Sequence, residues 1–548
     1  MKLYTRRIMA RCLGWGFLVL IIAGCSLSSP STGEPRVVYI TATFPPATAV
    51  ESTPVPAMPS VQATPVDLPP AVPQPGLSPV PQSVAFAPTP NPERFTLDQG
   101  RADSHTVRPG DTLYGIAAAY GASLDALLAV NDLPDPNALS VGQVLALPDL
   151  PTMLTPGFKL VPDGRLVRGP GSSSFDVRAF VAGQPGYIRL VTDEVDTRQA
   201  DGSAITEVLT GAQIVERISI EYSLDARLLL ALTEYLAGWL SNPAPPEERR
   251  ARPFNTDREG FYRQLAWLAN QVNAGYYGWR YRGWTTLEFS GTERYLYAPG
   301  LNAGTVALQY VLALHLDPAA WARAVNGVQG FYSTYYAYFG DPFAGVVDPV
   351  VPPDLTQPPL LLPFAQGEVW YFTGGAHGGW ASGSAWAAVD FAPPDERQDG
   401  VFCFVSAYWV RAVADGVIAR SEDGAVVLDL DGDGDESTGW TIFYLHIAEQ
   451  DRVPVGARVR AGDPIGRASC EGGFSTATHL HIGRRYNGEW LPSDCFVCAP
   501  HDSRPPFDMG GWTVVGIRNQ EYQGYLDRGG ERRTAEQGRV SLVNRIAW

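Results

Sequence analysis

The sequence predicts a multidomain α+β chain: a small βααβ module, an all-α middle domain and an all-β C-terminal domain. Three observations carry this expectation. Residues 105–148 place two short apolar helix faces between strand-like ends. From residue 205 to 343, apolar positions recur with helical spacing. From residue 363 onward, short β-forming segments are broken by glycines and turns. A length of 548 residues asks for several cores rather than one. The net charge of −16 denies the basic face that a nucleic-acid partner requires.

At the N-terminus, Lys2, Arg6, Arg7 and Arg11 precede an apolar run from Leu13 to Ala23, a signal-peptide layout over residues 1–24. The run is short for a membrane span. Its end, Ile22-Ala23-Gly24-Cys25, resembles the lipobox of bacterial lipoproteins. That resemblance implies cleavage before Cys25 and lipidation of its thiol, discarding Cys12 and anchoring the chain in the membrane outside the cytoplasm. In an envelope with an outer membrane, the anchor could lie there. Two acyl chains suffice for stable anchoring. Residues 25–100 are rich in Pro, Thr, Val, Ala and Ser without an apolar period, and read as a disordered tether.

In residues 101–150, His105-Thr106-Val107 begins a strand and Pro109-Gly110-Asp111-Thr112-Leu113 turns into a helix with Leu113, Ile116, Ala117 and Tyr120 on one face. Ser123 caps a second helix carrying Leu124, Leu127 and Leu128. Asn131 and prolines end that helix, and Val144 to Pro148 returns as a strand. The unit resembles a LysM module. The resemblance implies binding of N-acetylglucosamine-containing glycans by Gly110, Asp111, Thr112 and Leu113, with Leu133 and Pro134 opposite. His105 reads as strand surface.

Residues 151–204 read as an extended connecting region, and 205–343 as helices. Ile214, Ile218 and Tyr222 share a face; further helices are expected over 226–240, 262–272, 303–316 and 319–328. The aromatics between Tyr276 and Trp284 form either a shelf for sugar rings or core filling. His315, among leucines, reads as a core or helix-end histidine. Leu301-Asn302-Ala303-Gly304 is similar to the Tyr-Asn-Ala-Gly signature of lysozyme-like lytic transglycosylases. The stretch from Ala231 to Trp239 is similar to the region of that family holding its catalytic acid. This implies Glu234 as a second, glycan-cleaving acid, although it lies two residues before the expected place, which is Leu236. A helical spacer or glycan-binding domain without catalysis is the other reading.

After a proline-rich linker at 344–362 comes the domain at 363–504, which holds five of the chain's seven histidines. Residues i and i+2 of a strand face one way, so His479 and His481 face one cavity. A catalytic zinc takes three protein ligands and leaves a position for water, and the domain offers His377, Asp390, His446, His479 and His481. The stretches Gly374-Gly375-Ala376-His377, Asp390-Phe391, Tyr444-Leu445-His446 and His479-Leu480-His481 resemble the lysostaphin-type zinc endopeptidases that cut peptidoglycan peptides. The segments Val413 to Val417 and Ala461 to Gly466 extend the match. The resemblance implies zinc ligation by His377, Asp390 and His481, with His446 and His479 polarising the attacking water and stabilising the oxyanion. In that family the first histidine usually stands four residues before the aspartate. Here that position is Trp386, and His377 lies thirteen before, across Gly378 to Ser384. The expected protein is thus a membrane-anchored peptidoglycan hydrolase that contacts glycan strands and stem peptides. An inactive wall-binding regulator of other hydrolases and a two-activity enzyme are the alternatives.

Asp429 to Asp435 resembles the first half of a calcium loop, but its twelfth position is Trp440, so a solvated hairpin turn is expected. Cys403, Cys470, Cys495 and Cys498 allow three disulfide pairings. A structural zinc held by all four thiolates is the alternative. Residues 505–548 are expected as a β extension packed on the domain.

Overall fold

In a computed structural model, the described residues are 103–133, 139–149, 153–289, 293–495, 504–539 and 542–548. Cys25 with the signal and tether segments, Pro134, Cys498 and His501 lie outside them. No helix among the described residues is long and apolar enough to cross a membrane.

The first module closes through β1 (Ser104–Thr106) pairing antiparallel with β2 (Val144–Ala146) around α1 (Leu113–Tyr120) and α2 (Leu124–Ala129). Ser123 caps α2 by accepting from the Ala126 N–H at 3.0 Å. Asn131 ties the end of α2 to β2 through the Leu127 and Ala146 carbonyls. Two expectations need correction here. Leu113 is a buried core residue beside Ile116 and Leu127, so its side chain is not offered to a glycan. His105 is not bare strand surface: its Nε2 lies 2.8 Å from Asp111 Oδ2 and its Nδ1 2.9 Å from the Tyr120 hydroxyl. Asp111 also accepts from the Arg108 N–H, so its carboxylate shapes the loop from within. The module rests on the C-terminal extension through Asp125, 2.6 Å from Arg518 and 3.0 Å from Asn519.

Residues 153–204, expected as connection, belong to the helical body. Leu160, Val161, Leu166, Val167 and Ile188 are fully buried in its core. This region supplies α3 (Val177–Ala182) and β3 (Thr192–Arg198), which pairs with β4 (Ala204–Thr210). Thr210 and Gln213 form a capping box that starts α4 (Gly211–Tyr222). Then come α5 (Ala226–Ala237), α6 (Glu247–Ala251) and α7 (Phe261–Tyr281). The hairpin of β5 (Thr286–Glu288) and β6 (Arg294–Leu296) leads to α8 (Ala303–Ala313), α9 (Pro318–Val325) and α10 (Phe331–Phe339). The domain is therefore helical with two hairpins among its described residues rather than all-α. At Gly275, α7 comes so close to α8 that a Cβ would stand 2.8 Å from the Ala307 Cα. Tyr276, Tyr277, Trp279 and Tyr281 are buried, which settles the aromatic cluster as core.

Glu234, expected as a second acid, is engaged by its own chain. Glu234 Oε2 accepts from the Leu240 and Ser241 N–H groups at 2.8 and 3.1 Å, and Oε1 from the Ser241 hydroxyl. Its carboxylate fastens the turn after α5, a structural role that the sequence reading did not foresee. Asn302 donates to the Val161 carbonyl and to Asp163, holding the N-terminal segment against α8.

The C-terminal third forms β7 (Trp370–His377), β8 (Ala388–Ala392), β9 (Trp409–Arg411), β10 (Gly416–Glu422) and β11 (Ala425–Asp429). It continues with β12 (Trp440–Leu445), β13 (Arg458–Val459), β14 (Pro464–Arg467), β15 (Leu480–Tyr486) and β16 (Glu489–Trp490). The extension adds β17 (Asp508–Met509), β18 (Trp512–Ile517), β19 (Gln520–Arg528), β20 (Glu531–Thr534) and β21 (Arg545–Ile546). The main sheet is nine-stranded among the described residues, ordered β13-β10-β11-β12-β15-β8-β7-β21, with β16 on β15. Alternation along the strands divides two cores. Val426, Leu428, Ile442, Tyr444, Leu480 and Ile482 face one core. Ala425, Val427, Phe443, Leu445 and Trp490 join the core of the helices. His481 falls between Leu480 and Ile482, so it lies on the face that the helical body covers.

A disulfide joins Cys403 to Cys470, with Cα atoms 5.5 Å apart, and Cys495 is also disulfide-bonded. Oxidised sulfurs cannot serve as thiolate ligands, so the four-cysteine zinc is excluded. Asp429, Asp431 and Asp433 bring carboxylate oxygens within 4.8 Å of one another, while Asp429 also accepts from the Asp431 and Gly434 N–H groups.

One buried ion cluster ties the helices to the sheet. Glu436 contacts Arg168 at 3.3 Å, Arg420 at 3.1 Å and Arg485 at 2.7 Å. Burial alone would raise its carboxyl, but the three guanidinium groups hold it far below the usual range. Glu436→Gln, which leaves these arginines without their anion, is expected to cost about 3–5 kcal/mol in denaturant unfolding. A carboxyl depressed in the folded state stabilises above its unfolded value of ~4.3 and loses that contribution as pH falls. The variant's stability should therefore decline less steeply than the wild type's below about pH 4.

Candidate metal centre

Strand pairing assembles the site. β15 pairs with β8 so that His481 stands opposite Asp390. β8 pairs with β7, whose register shifts between Phe372 and Gly374 and again before His377. These irregularities re-aim the strand end. The result places His377 Nε2 2.9 Å from His481 Nδ1, and Asp390 Oδ1 3.2 Å from both. All three residues are buried.

The protons decide what this arrangement can hold. His377 Nδ1 donates to the Gly375 carbonyl at 2.7 Å, and His481 Nε2 to the Gly379 carbonyl at 3.1 Å. A neutral imidazole carries one N–H. The facing nitrogens of both rings are then lone pairs, and Asp390 Oδ1, buried and without a hydrogen bond, is a third acceptor. With both rings neutral, three acceptors converge with no proton between them, an arrangement that fits a cation, and the donor set of two imidazoles and a carboxylate suits zinc. The two backbone carbonyls orient the rings as outer ligand partners do. Burial disfavours charge on both His377 and Asp390, but their mutual attraction overrides it. It raises the imidazole's affinity for a proton and holds the carboxyl well below its usual range.

His446 and His479 lie alongside, ring centroids 4.5 Å apart. His446 follows β12 directly in a left-handed conformation, φ 66°, and donates Nδ1–H to the Glu471 carbonyl at 2.9 Å. His479 does the same to the Ala477 carbonyl at 2.8 Å. Each thereby keeps Nε2 for chemistry. Burial, then His479 and His481, push His446 far below the usual histidine range, so it is neutral at neutral pH. Ser469 bridges the pair: its N–H donates to the His446 carbonyl at 2.7 Å, and its own carbonyl accepts from the His479 N–H at 3.4 Å. The disulfided Cys470 follows directly.

The thirteen-residue spacing between His377 and Asp390 now has a cause. The intervening loop leaves the sheet and is pinned by α7. The Gly383 N–H donates to Asn270 Oδ1 at 2.8 Å, and Arg282, just beyond α7, donates to the Ser382 carbonyl at 3.0 Å. Trp380 meets Tyr222 edge-on. Trp386 packs against the sheet core instead of serving as ligand. Two neighbours of the site escaped the sequence reading. Tyr522 stacks on His377 with centroids 4.2 Å apart, and Glu521 accepts from the Gly378 N–H at 3.0 Å. No local pattern in the C-terminal extension marks them, because only the tertiary fold brings them to β7.

Residues 396–492 match the family described as Peptidase family M23. That match begins beyond His377 and Asp390, so their place rests on the geometry above. Residues 105–148 match the LysM domain and residues 159–352 the LasA N-terminal domain, so the chain joins LysM, LasA N-terminal and M23 domains. Protease LasA of Pseudomonas aeruginosa is 28% identical over 306 residues, covering 51% of this chain and 67% of that protein. N-acetylmuramoyl-L-alanine amidase XlyB of Bacillus subtilis is 49% identical over 47 residues, 9% of this chain and 15% of that protein. Among solved structures, the deep-sea M23 metalloprotease Pseudoalterin is 25% identical, covering 33% of this chain and 96% of its own, with a TM-score of 0.25. The catalytic domain of lysostaphin from Staphylococcus simulans is 28% identical, covering 23% and 81%, with a TM-score of 0.16.

Asp390→Asn removes the only anion of the set, and metal analysis of the purified full chain should then find far less bound divalent metal than in the wild type.

Proposed function

We propose that this protein is a zinc-dependent endopeptidase of the cell wall, hydrolysing peptide bonds of peptidoglycan stem peptides or cross-bridges. The observation that carries the reading is the convergence of His377 Nε2, Asp390 Oδ1 and His481 Nδ1 beside two further imidazoles. A zinc ion held by the first three would polarise a scissile carbonyl and make hydroxide available near neutral pH. His446, neutral in its buried position, accepts the proton of the attacking water at Nε2. The proton gained by His446 would pass on to the leaving amine, and His479, in the form protonated at both nitrogens, would hydrogen-bond the oxyanion through Nε2–H. Their fixed Nδ1–H bonds to backbone carbonyls preset both rings for this work.

The LysM match supports glycan binding through the loop of Gly110, Asp111 and Thr112 with Leu133 and Pro134 opposite, Asp111 acting by shaping the loop. Lipidation at Cys25 would hold the protein outside the cytoplasm on a long tether. The convergence of His377, Asp390 and His481 beside His446 and His479 supports the catalytic reading over the inactive-regulator alternative.

Digestion of purified peptidoglycan followed by mass spectrometry tests the reading. Cut stem peptides or cross-bridges are expected, abolished by a chelator and by His481→Ala; intact peptides at saturating zinc would sink it. His446→Ala and His479→Ala should each lower kcat by about 10²–10⁴ while KM for a peptide substrate changes little.

A further inference from the structure

The C-terminal extension meets the metal centre at one place. β18 and β19 pair in register as far as Gly516 and Gly524, then slip, so that Ile517 faces Gln520. The slip expels Glu521, Tyr522 and Gln523 from the hairpin towards β7. Tyr522 holds a left-handed backbone, φ 67°, which a bulky residue adopts only under constraint.

Each of the three residues touches the end of β7. A Cβ at Gly375 would stand 2.4 Å from the Gln523 carbonyl oxygen, so the glycine is what lets the two backbones meet. Glu521 Oε1 accepts from the Gly378 N–H. The Tyr522 ring lies nearly parallel to the His377 imidazole, 19° between planes. Between these contacts sits the ligand with the least support from its own chain: His377 closes an irregular strand, and a long loop separates it from Asp390.

A histidine binds metal through a lone pair in the plane of its ring, so the tilt of that plane decides whether Nε2 can reach the ion. The Nδ1–H bond to Gly375 fixes the direction within the plane, and a flat partner on the ring face fixes the tilt. Resting on the metal-centre reading above, we infer that Tyr522 and Glu521 are positioning residues for His377, and that the C-terminal extension is an integral wall of the metal site. The Tyr522 ring performs this, and its hydroxyl is not required; Tyr522 is 52% exposed at the rim of the site.

The test uses the full chain and zinc affinity measured by competition with a chromogenic chelator, beside peptide hydrolysis at limiting and saturating zinc. Tyr522→Ala and Glu521→Ala are expected to weaken zinc affinity about tenfold to a hundredfold. Tyr522→Phe, which keeps the ring, and Glu521→Gln, which keeps an acceptor for Gly378, should restore it. Activity lost in the alanine variants should return as zinc is raised. Thermal unfolding of the metal-free proteins monitors folding; should Tyr522→Ala unfold, Tyr522→Leu keeps bulk without a flat face and is expected to bind zinc as weakly. Affinity within twofold of wild type in Tyr522→Ala or Tyr522→Leu overturns the inference, as does Tyr522→Phe falling as far as alanine. A wild type that takes up no zinc fails the metal-centre reading itself, a distinct outcome.

Discussion

Two imidazole nitrogens and a carboxylate oxygen, held within hydrogen-bond distance of one another, form the constraint on which this structure turns. With both rings neutral it is repulsive without a cation, and the fold must hold it in place. It does so with strand pairing: β8 lies between β7 and β15, so Asp390 is flanked by His377 and His481 as a matter of register. A one-residue slip of β15 would carry His481 to the opposite face. The alternation that buries Leu480 and Ile482 in the sheet core therefore also fixes the ligand.

The helical body is more than a spacer in front of this sheet. It shares a core with the face that bears His481, pins the loop between the first two ligands, and is riveted by the arginines around Glu436. This explains how a ligand spacing of thirteen residues is compatible with a closed site. The loop is long because it must leave the sheet, meet Asn270 of α7, and come back.

How much of this was legible in the sequence differed by kind of signal. The His479–Leu480–His481 repeat and the Tyr444–Leu445–His446 stretch could be read because strand period and local motif coincide there. The two-helix module was legible for the same reason, its caps and apolar face being local. Leu113 was misassigned to the glycan groove because a motif position does not say which way a side chain points. Residues 153–204 looked like connection because their buried residues, Leu160 and Val167 among them, are spread through irregular backbone with no period. Glu234 showed an acid on an apolar helix, but not the Leu240 and Ser241 amides that occupy it. Tyr522 was invisible because its relation to His377 exists only across the fold.

The disulfide between Cys403 and Cys470 acquires a meaning from where it sits. It closes a span of 67 residues, a crosslink of the kind worth about 4 kcal/mol through restriction of the unfolded chain. Cys470 adjoins Ser469, the residue whose backbone joins His446 to His479. The proposed metal ligands are set by sheet register and need no such help, whereas the proposed catalytic imidazoles are braced by a bond that forms only after sulfur oxidation. The two halves of the proposed site thus differ in what they require: strand pairing alone brings His377, Asp390 and His481 together, whereas the backbone beside His446 and His479 is locked only where cysteines can oxidise.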